Sequence, residues 1–198
     1  MRNSNDPEFW DHQYRLTQTP WDLGQSTPVF VRLQQTGLLS AGRMIVLGAG
    51  SGHDADYFAA AGFDVTAVDF APQAAAAMRA RQGSGARWTV IEGDIFALPA
   101  ALDGTFDIVL EYTCYCAIYP EQREAYVALV RRLLRPGGMW VALAFPIGRR
   151  PGGPPFVVQP DAVVARFERA GFTLTHREWP GDSVPERLGI EELLILRA

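Results

Sequence analysis

The run Gly48-Ala49-Gly50-Ser51-Gly52 constrains this chain more than any other stretch of it. It follows the short apolar run "RMIVL" (43–47) and precedes "HDADYFAAAG" (53–62), which has a helical composition. A strand that turns through glycines directly into a helix opens a strand–helix–strand unit, and glycine allows both the tight turn and a close approach of ligand to main chain. The alternation then continues. "DVTAVDF" (64–70), "ARWTVIEGD" (86–94), "FDIVLEY" (106–112) and "MWVALAF" (139–145) read as strands, and "PQAAAAMRARQ" (72–82) and residues 121–135 as helices. "RPGG" (135–138) is expected to stop the second of these helices, and "PIGRRPGGPPF" (146–156) is expected to be loop. A helix at 160–170 and strand runs around 172–179 and 189–197 complete the reading.

This pattern predicts an α/β fold, a Rossmann-like doubly wound sheet of about seven strands. Ligands of such sheets sit at the carboxyl ends of the strands, so functional residues are expected just after each strand. At 198 residues the chain is expected to form one domain, 1–198, with residues 1–40 as an N-terminal arm. A net charge of −4 argues against a nucleic-acid binder. All 18 basic residues are arginine, which excludes any mechanism that needs a Schiff-base or phosphate-cradling lysine. The N-terminus lacks the apolar stretch of a signal peptide and no run reaches the length of a membrane span, so a cytoplasmic protein is expected. Cys114 and Cys116 are poorly spaced for a disulfide and have no Cys/His partners for zinc, so no metal site is predicted.

A dinucleotide site would place a third glycine at position 53, where His53 stands. The spacing found, Gly48, Gly50 and Gly52, resembles instead the first motif of S-adenosylmethionine-dependent methyltransferases. Asp69 ends the second strand, 17 residues beyond Gly52, where a carboxylate could accept ribose hydroxyls of either cofactor. Asp94 and Ile95 follow the third strand and suit the amino group and ring face of adenine. The cofactor predicted is S-adenosyl-L-methionine.

With "FWDHQY" (9–14), "TPWDLGQSTP" (19–28), "VLGAGSGHDADYFAAAG" (46–62), "VDF" (68–70), "FDIVLEYTCYCAIYPEQR" (106–123), "LLRPGG" (133–138) and "GGPPF" (152–156), the chain resembles the thiopurine S-methyltransferase superfamily, in particular its thiol, thiocyanate and halide methyltransferase branch. The resemblance implies a class I methyltransferase fold with an N-terminal helical lid over the cofactor. It implies that Trp10, Tyr14, Trp21, Gly48, Asp69, Asp94, Ile95 and Tyr112 contact the cofactor. Arg123 matches an arginine that lies near the active site in the thiopurine branch. Tyr14 departs from the plant enzymes, which tend to carry tryptophan there, and "YTCYCAI" departs from their "YTFFCAI" type.

Acceptor-pocket candidates follow the fourth strand: Glu111, Tyr112, Cys114, Tyr115, Cys116 and, further on, Arg123. Methyl transfer from a sulfonium to a soft anion asks the protein for alignment and desolvation, and no general base. The function predicted is methylation of a small thiol, thiocyanate, bisulfide, halide or thiopurine-like acceptor by a monomer. The alternatives are a small-molecule O- or N-methyltransferase, for which Glu111 is the only positioned base, an NAD(P)-binding oxidoreductase, and a cofactor-binding protein without catalysis.

Overall fold

The computed structural model of the chain describes residues 4–82 and 88–198. It divides into two compact units, one ending at Leu98 and the other beginning at Pro99. Among the described residues there are seven strands and six α-helices, with strand order β3-β2-β1 in the first unit and β4-β5-β7-β6, of mixed direction, in the second. None of these helices is long and apolar enough to cross a membrane.

The first unit holds α1 (Pro7–Arg15), α2 (Pro28–Gln35), β1 (Arg43–Leu47), α3 (His53–Ala60), β2 (Asp64–Asp69), α4 (Pro72–Arg81) and β3 (Trp88–Glu92). Its strands are parallel, with Met44 opposite Val65 and Val65 opposite Trp88. β1 and β2 are buried along nearly their whole length, which is why they read as continuous apolar runs and not as alternating ones. The third strand begins within the described residues at Trp88; positions 86 and 87 of the expected run lie outside them.

Helix α1 starts as its sequence dictates, with Asp6 capping the Glu8 N–H at 3.0 Å and Pro7 in the first turn. Its buried Asp11 then accepts the main-chain N–H of Gln73 at 2.9 Å. The N-cap of α4 is Ala71, which has no side chain to offer, so a carboxylate from α1 serves that helix end instead. Helix α2 has no counterpart in the sequence reading. Its Val29, Phe30 and Leu33 are fully buried, so the later part of the 1–40 arm is core.

The second unit holds β4 (Phe106–Tyr112), α5 (Arg123–Leu133), β5 (Leu134–Ala144), α6 (Pro160–Arg169), β6 (Thr173–Glu178) and β7 (Glu192–Arg197). β4 and β5 are parallel, while β7 runs antiparallel to both β5 and β6. Trp140 of β5 stacks on Phe167 of α6 with ring centroids 4.1 Å apart. "RPGG" does not cap α5 as expected. The chain is already extended at Leu134 (φ −76, ψ 136), and residues 135–138 open β5. Pro136 disfavours a helical conformation at Arg135, and the helix ends at Leu133, two residues short of it.

Candidate active site

In the first unit the glycine turn joins β1 to α3. Gly48, Gly50 and Gly52 have φ of 63°, 55° and 79°, the left-handed region that side chains disfavour. Asp69, at the carboxyl end of β2, accepts the Gly50 N–H at 2.9 Å and the Ala71 N–H at 3.0 Å. Burial raises its carboxyl above the ordinary value, and these main-chain donors act against that rise. Gly52 has a packing role: a Cβ there would lie 2.8 Å from Met78 Cγ and 3.0 Å from Trp88 Cη2. Asp94 caps the turn of 3-10 helix at Ile95–Ala97, accepting the Phe96 N–H at 2.9 Å.

The arm brings its aromatic residues to this turn. Trp21 meets Trp10 edge to face at 5.2 Å and Tyr14 at 5.7 Å, and its indole N–H donates to the Tyr14 hydroxyl at 3.2 Å. That hydroxyl in turn lies over Gly50, 3.2 Å from where a Cβ would stand. Trp21 thus holds the Tyr14 phenol, which stands against the main chain of the turn and near the Asp69 charge. Burial, followed by the nearby Asp69 charge, pushes the Tyr14 phenol up, so it stays a neutral donor.

Asp22, which the sequence reading passed over, fastens the arm. It accepts hydrogen bonds from the Ser51 hydroxyl and the Gly24 N–H, and its Oδ1 lies 3.2 Å from His53 Nε2. Burial works to raise the Asp22 carboxyl, but the bonds from Ser51 and Gly24 prevail and hold it below its usual value. Burial, with Arg81 beside it, holds the His53 ring below its ordinary value, while Asp22 acts against that shift. A second fastening joins α2 to α3, where Asp54 accepts the Thr27 N–H at 2.7 Å and the Thr27 hydroxyl at 2.8 Å. Burial pushes the Asp54 carboxyl up to about 6 against those two bonds.

In the second unit β4 delivers Glu111 and Tyr112 to the turn that follows. Glu111 is 2% exposed, and its Oε1 accepts the N–H groups of Cys114 at 3.0 Å and Tyr115 at 2.9 Å. Burial pushes its carboxyl up to about 7, opposed by those bonds. The Tyr112 hydroxyl donates to Glu191 Oε2 at 2.5 Å, and Ser183 donates to Glu191 Oε1 at 2.6 Å. The Arg187 guanidinium lies between two rings, 4.6 Å from Tyr112 and 4.7 Å from Phe145. Arg187, Glu191 and Ser183 were missed because they lie some 70 to 80 residues from Tyr112 in sequence, Ser183 and Arg187 between the two expected strand runs and Glu191 at the start of the second. The pair Arg187 and Glu191, spaced by four, was the one signal available.

Tyr115 is held on several sides, with Arg123 4.8 Å above its ring, Arg166 donating to its hydroxyl at 3.1 Å and Tyr126 edge-on at 5.3 Å. Arg123 is therefore a buried residue; it also donates to the Val157 carbonyl at 3.2 Å. Cys116 is buried with its thiol pushed up by burial, whereas Cys114 is partly exposed, and neither is in a disulfide. Among the described residues no cluster of His, Cys, Asp and Glu could hold a metal.

A parallel sheet with an antiparallel β7, a glycine turn after β1 and a carboxylate after β2 define a class I S-adenosylmethionine-dependent methyltransferase. The fold is shared with the Burkholderia thailandensis 1,6-didemethyltoxoflavin-N1-methyltransferase solved with S-adenosylhomocysteine, at TM-score 0.76 and 21% identity, covering 96% of this chain and 86% of that one. Within that class, the thiopurine S-methyltransferase (TPMT) family model matches residues 5–187, and the chain belongs to this family. Thiocyanate methyltransferase 1 of Arabidopsis thaliana is 32% identical over 188 residues, 93% of this chain and 82% of the relative. A probable thiol methyltransferase 2 from the same plant is 32% identical over 172 residues, 85% of this chain and 74% of the relative.

Proposed function

We propose that this enzyme methylates a small soft nucleophile: a thiolate, thiocyanate, bisulfide, halide or thiopurine-like heterocycle. The similarity to relatives named for thiocyanate and thiol carries the proposal. The chemistry of the acceptor turn supports it. Glu111, the only carboxylate beside that turn that the sequence offered as a base, already accepts two main-chain bonds, and the Tyr112 phenol is held neutral by burial and by Glu191. Acceptors that are anions at neutral pH need neither group as a base.

The residues of the first unit fit S-adenosylmethionine by their chemistry. The glycine turn keeps side chains away from the main chain, Asp69 is an acceptor with lone pairs to spare, and Trp10, Tyr14 and Trp21 offer aromatic surface to a cation. When bound, the cofactor supplies an electrophilic methyl group on a sulfonium. Trp21, pinned through Asp22, would act as a lid that excludes water. Asp69 and Asp94 would orient the nucleoside, and Ile95 would contact its base. Cys114, Tyr115 and Cys116 would shape the acceptor side as small or aromatic walls, where loss of water from an anion favours its attack.

The test is turnover of the purified protein with S-adenosylmethionine, followed as S-adenosylhomocysteine by mass spectrometry. The acceptors are iodide, thiocyanate, bisulfide, an aromatic thiol, a thiopurine and several phenols. Turnover on sulfur or halide acceptors and none on phenols is expected. Turnover on phenols alone would overturn the acceptor class and leave the methyltransferase assignment standing.

A further inference from the structure

The turn after β4 carries an unusual backbone. Thr113 has φ +63°, a conformation that a β-branched residue adopts only when its surroundings impose it. The two N–H groups that follow, those of Cys114 and Tyr115, both point to one oxygen, Glu111 Oε1. Other bonds close the turn on itself: Cys116 Sγ donates to the Thr113 carbonyl at 3.2 Å, and the Ala117 N–H to the Cys114 carbonyl at 2.9 Å. These bonds hold the end of the turn. The Glu111 carboxylate ties its beginning to the sheet.

We propose that Glu111 is a positioning residue, which fixes the Thr113–Cys116 turn by accepting both N–H groups and so sets the shape of the acceptor wall, and that it removes no proton from the acceptor. The proposal rests on the methyltransferase reading above. Around the carboxylate stand Arg123 and the hydroxyl or thiol groups of Tyr115, Cys116 and Tyr126. Arg123 is the one cation among these, and it lies over the Tyr115 ring, so it stabilises the same turn from the α5 side. A carboxylate that is 2% exposed and doubly bonded to main chain is built to stay in place. A base must instead exchange a proton with the substrate at each turnover.

The substitution Glu111→Gln separates the two roles. A glutamine carbonyl has two lone pairs and can accept both N–H groups, but it has no basicity. Because neutral acceptors are weaker than charged ones, Glu111→Gln should lower kcat/KM by about three- to fivefold. Glu111→Ala, which releases the turn, should lower kcat by about a hundredfold with S-adenosylhomocysteine affinity in the wild-type range. Amide hydrogen exchange gives a readout that needs no turnover: the Cys114 and Tyr115 amides should be protected in the wild type and in Glu111→Gln, and should exchange freely in Glu111→Ala. Loss of turnover in Glu111→Gln as deep as in Glu111→Ala, with both amides still protected, would assign the base role and overturn the proposal. Unprotected amides in the wild type would also overturn it. Where Glu111→Ala fails to fold, Glu111→Gln decides alone, by its residual turnover and its amide protection. Protected amides in a wild type inactive on every acceptor would sink the functional reading and leave the anchor standing.

Discussion

The arm with its glycine turn and the turn after β4 are held by different kinds of interaction. In the first, Asp22, Asp54 and Asp69 accept from main-chain N–H groups and hydroxyls, and Asp22, which fastens the Trp21 segment, stays partly exposed. In the second, Glu111, Arg123, Arg187 and Glu191 all fall below a tenth exposed and meet one another's rings, hydroxyls and charges. Hydrogen bonds that water can replace are each worth about 1 kcal/mol, so the Trp21–Gly24 segment can loosen at Asp22 while the α2 part of the arm stays in the core. Buried charges give no such latitude, since each partner removed leaves another in a medium that cannot solvate it. A lid role for the arm, as proposed above, needs such latitude at Asp22, whereas the second region is held to one shape.

Glu191→Ala tests that contrast most severely. Glu191 is 1% exposed, holds the Tyr112 and Ser183 hydroxyls and stands near the Arg187 charge. Its loss should destabilise the protein by about 3–5 kcal/mol, the usual cost of breaking a buried charged pair. Urea denaturation followed by tryptophan fluorescence measures it. A loss under about 1 kcal/mol would mean that the second region is no more rigidly held than the arm.

Gly52→Ala comes next and shows where the first unit is rigid. The left-handed backbone costs an alanine about 1–2 kcal/mol. The contact at 2.8 Å with Met78 Cγ adds overpacking between the turn and α4. A loss of about 2–4 kcal/mol is expected in all. Gly50→Ala should lose less, about 1–2 kcal/mol, because only the Tyr14 hydroxyl lies close. Thermal unfolding of the two variants side by side checks the order. Equal losses would show that close packing at Gly52 contributes nothing beyond its backbone conformation.

The two regions also differ in how far the sequence revealed them. The glycine turn was legible because its requirement is local: glycine at positive φ beside a strand and a helix leaves a spacing, and Asp69 lies only 19 residues from Gly50. The strand alternation was legible for the same reason, since each parallel strand is a short apolar run. Around the β4 turn the determining contacts are distant, 79 residues for Tyr112 with Glu191 and 51 for Arg166 with Tyr115. No periodicity links such pairs. Helix α2 escaped because its eight residues follow a stretch rich in Pro, Thr and Gly, and only tertiary burial of Phe30 and Leu33 makes it helical core. Asp22 escaped because an aspartate in a turn reads as solvated until Ser51 and His53 are placed against it.

Asp22→Ala should have the smallest effect on stability and the clearest effect on the arm. The substitution removes the acceptor of the Ser51 hydroxyl and the Gly24 N–H and the partner of His53. Asp22 is partly exposed, so water replaces much of what is lost and unfolding should shift by no more than about 1 kcal/mol. Ligand binding feels the change differently. An arm left free in the empty protein must be ordered when it closes, and the ordering of Trp21 and its neighbours opposes binding. Affinity for S-adenosylhomocysteine, measured by calorimetric titration, should therefore fall about five- to tenfold, close to the 1.4 kcal/mol that a factor of ten represents. The loss should appear as a more unfavourable binding entropy. Unchanged affinity would mean that Trp10, Tyr14 and α1 hold the arm without Asp22, and the arm would then be as preset as the turn after β4.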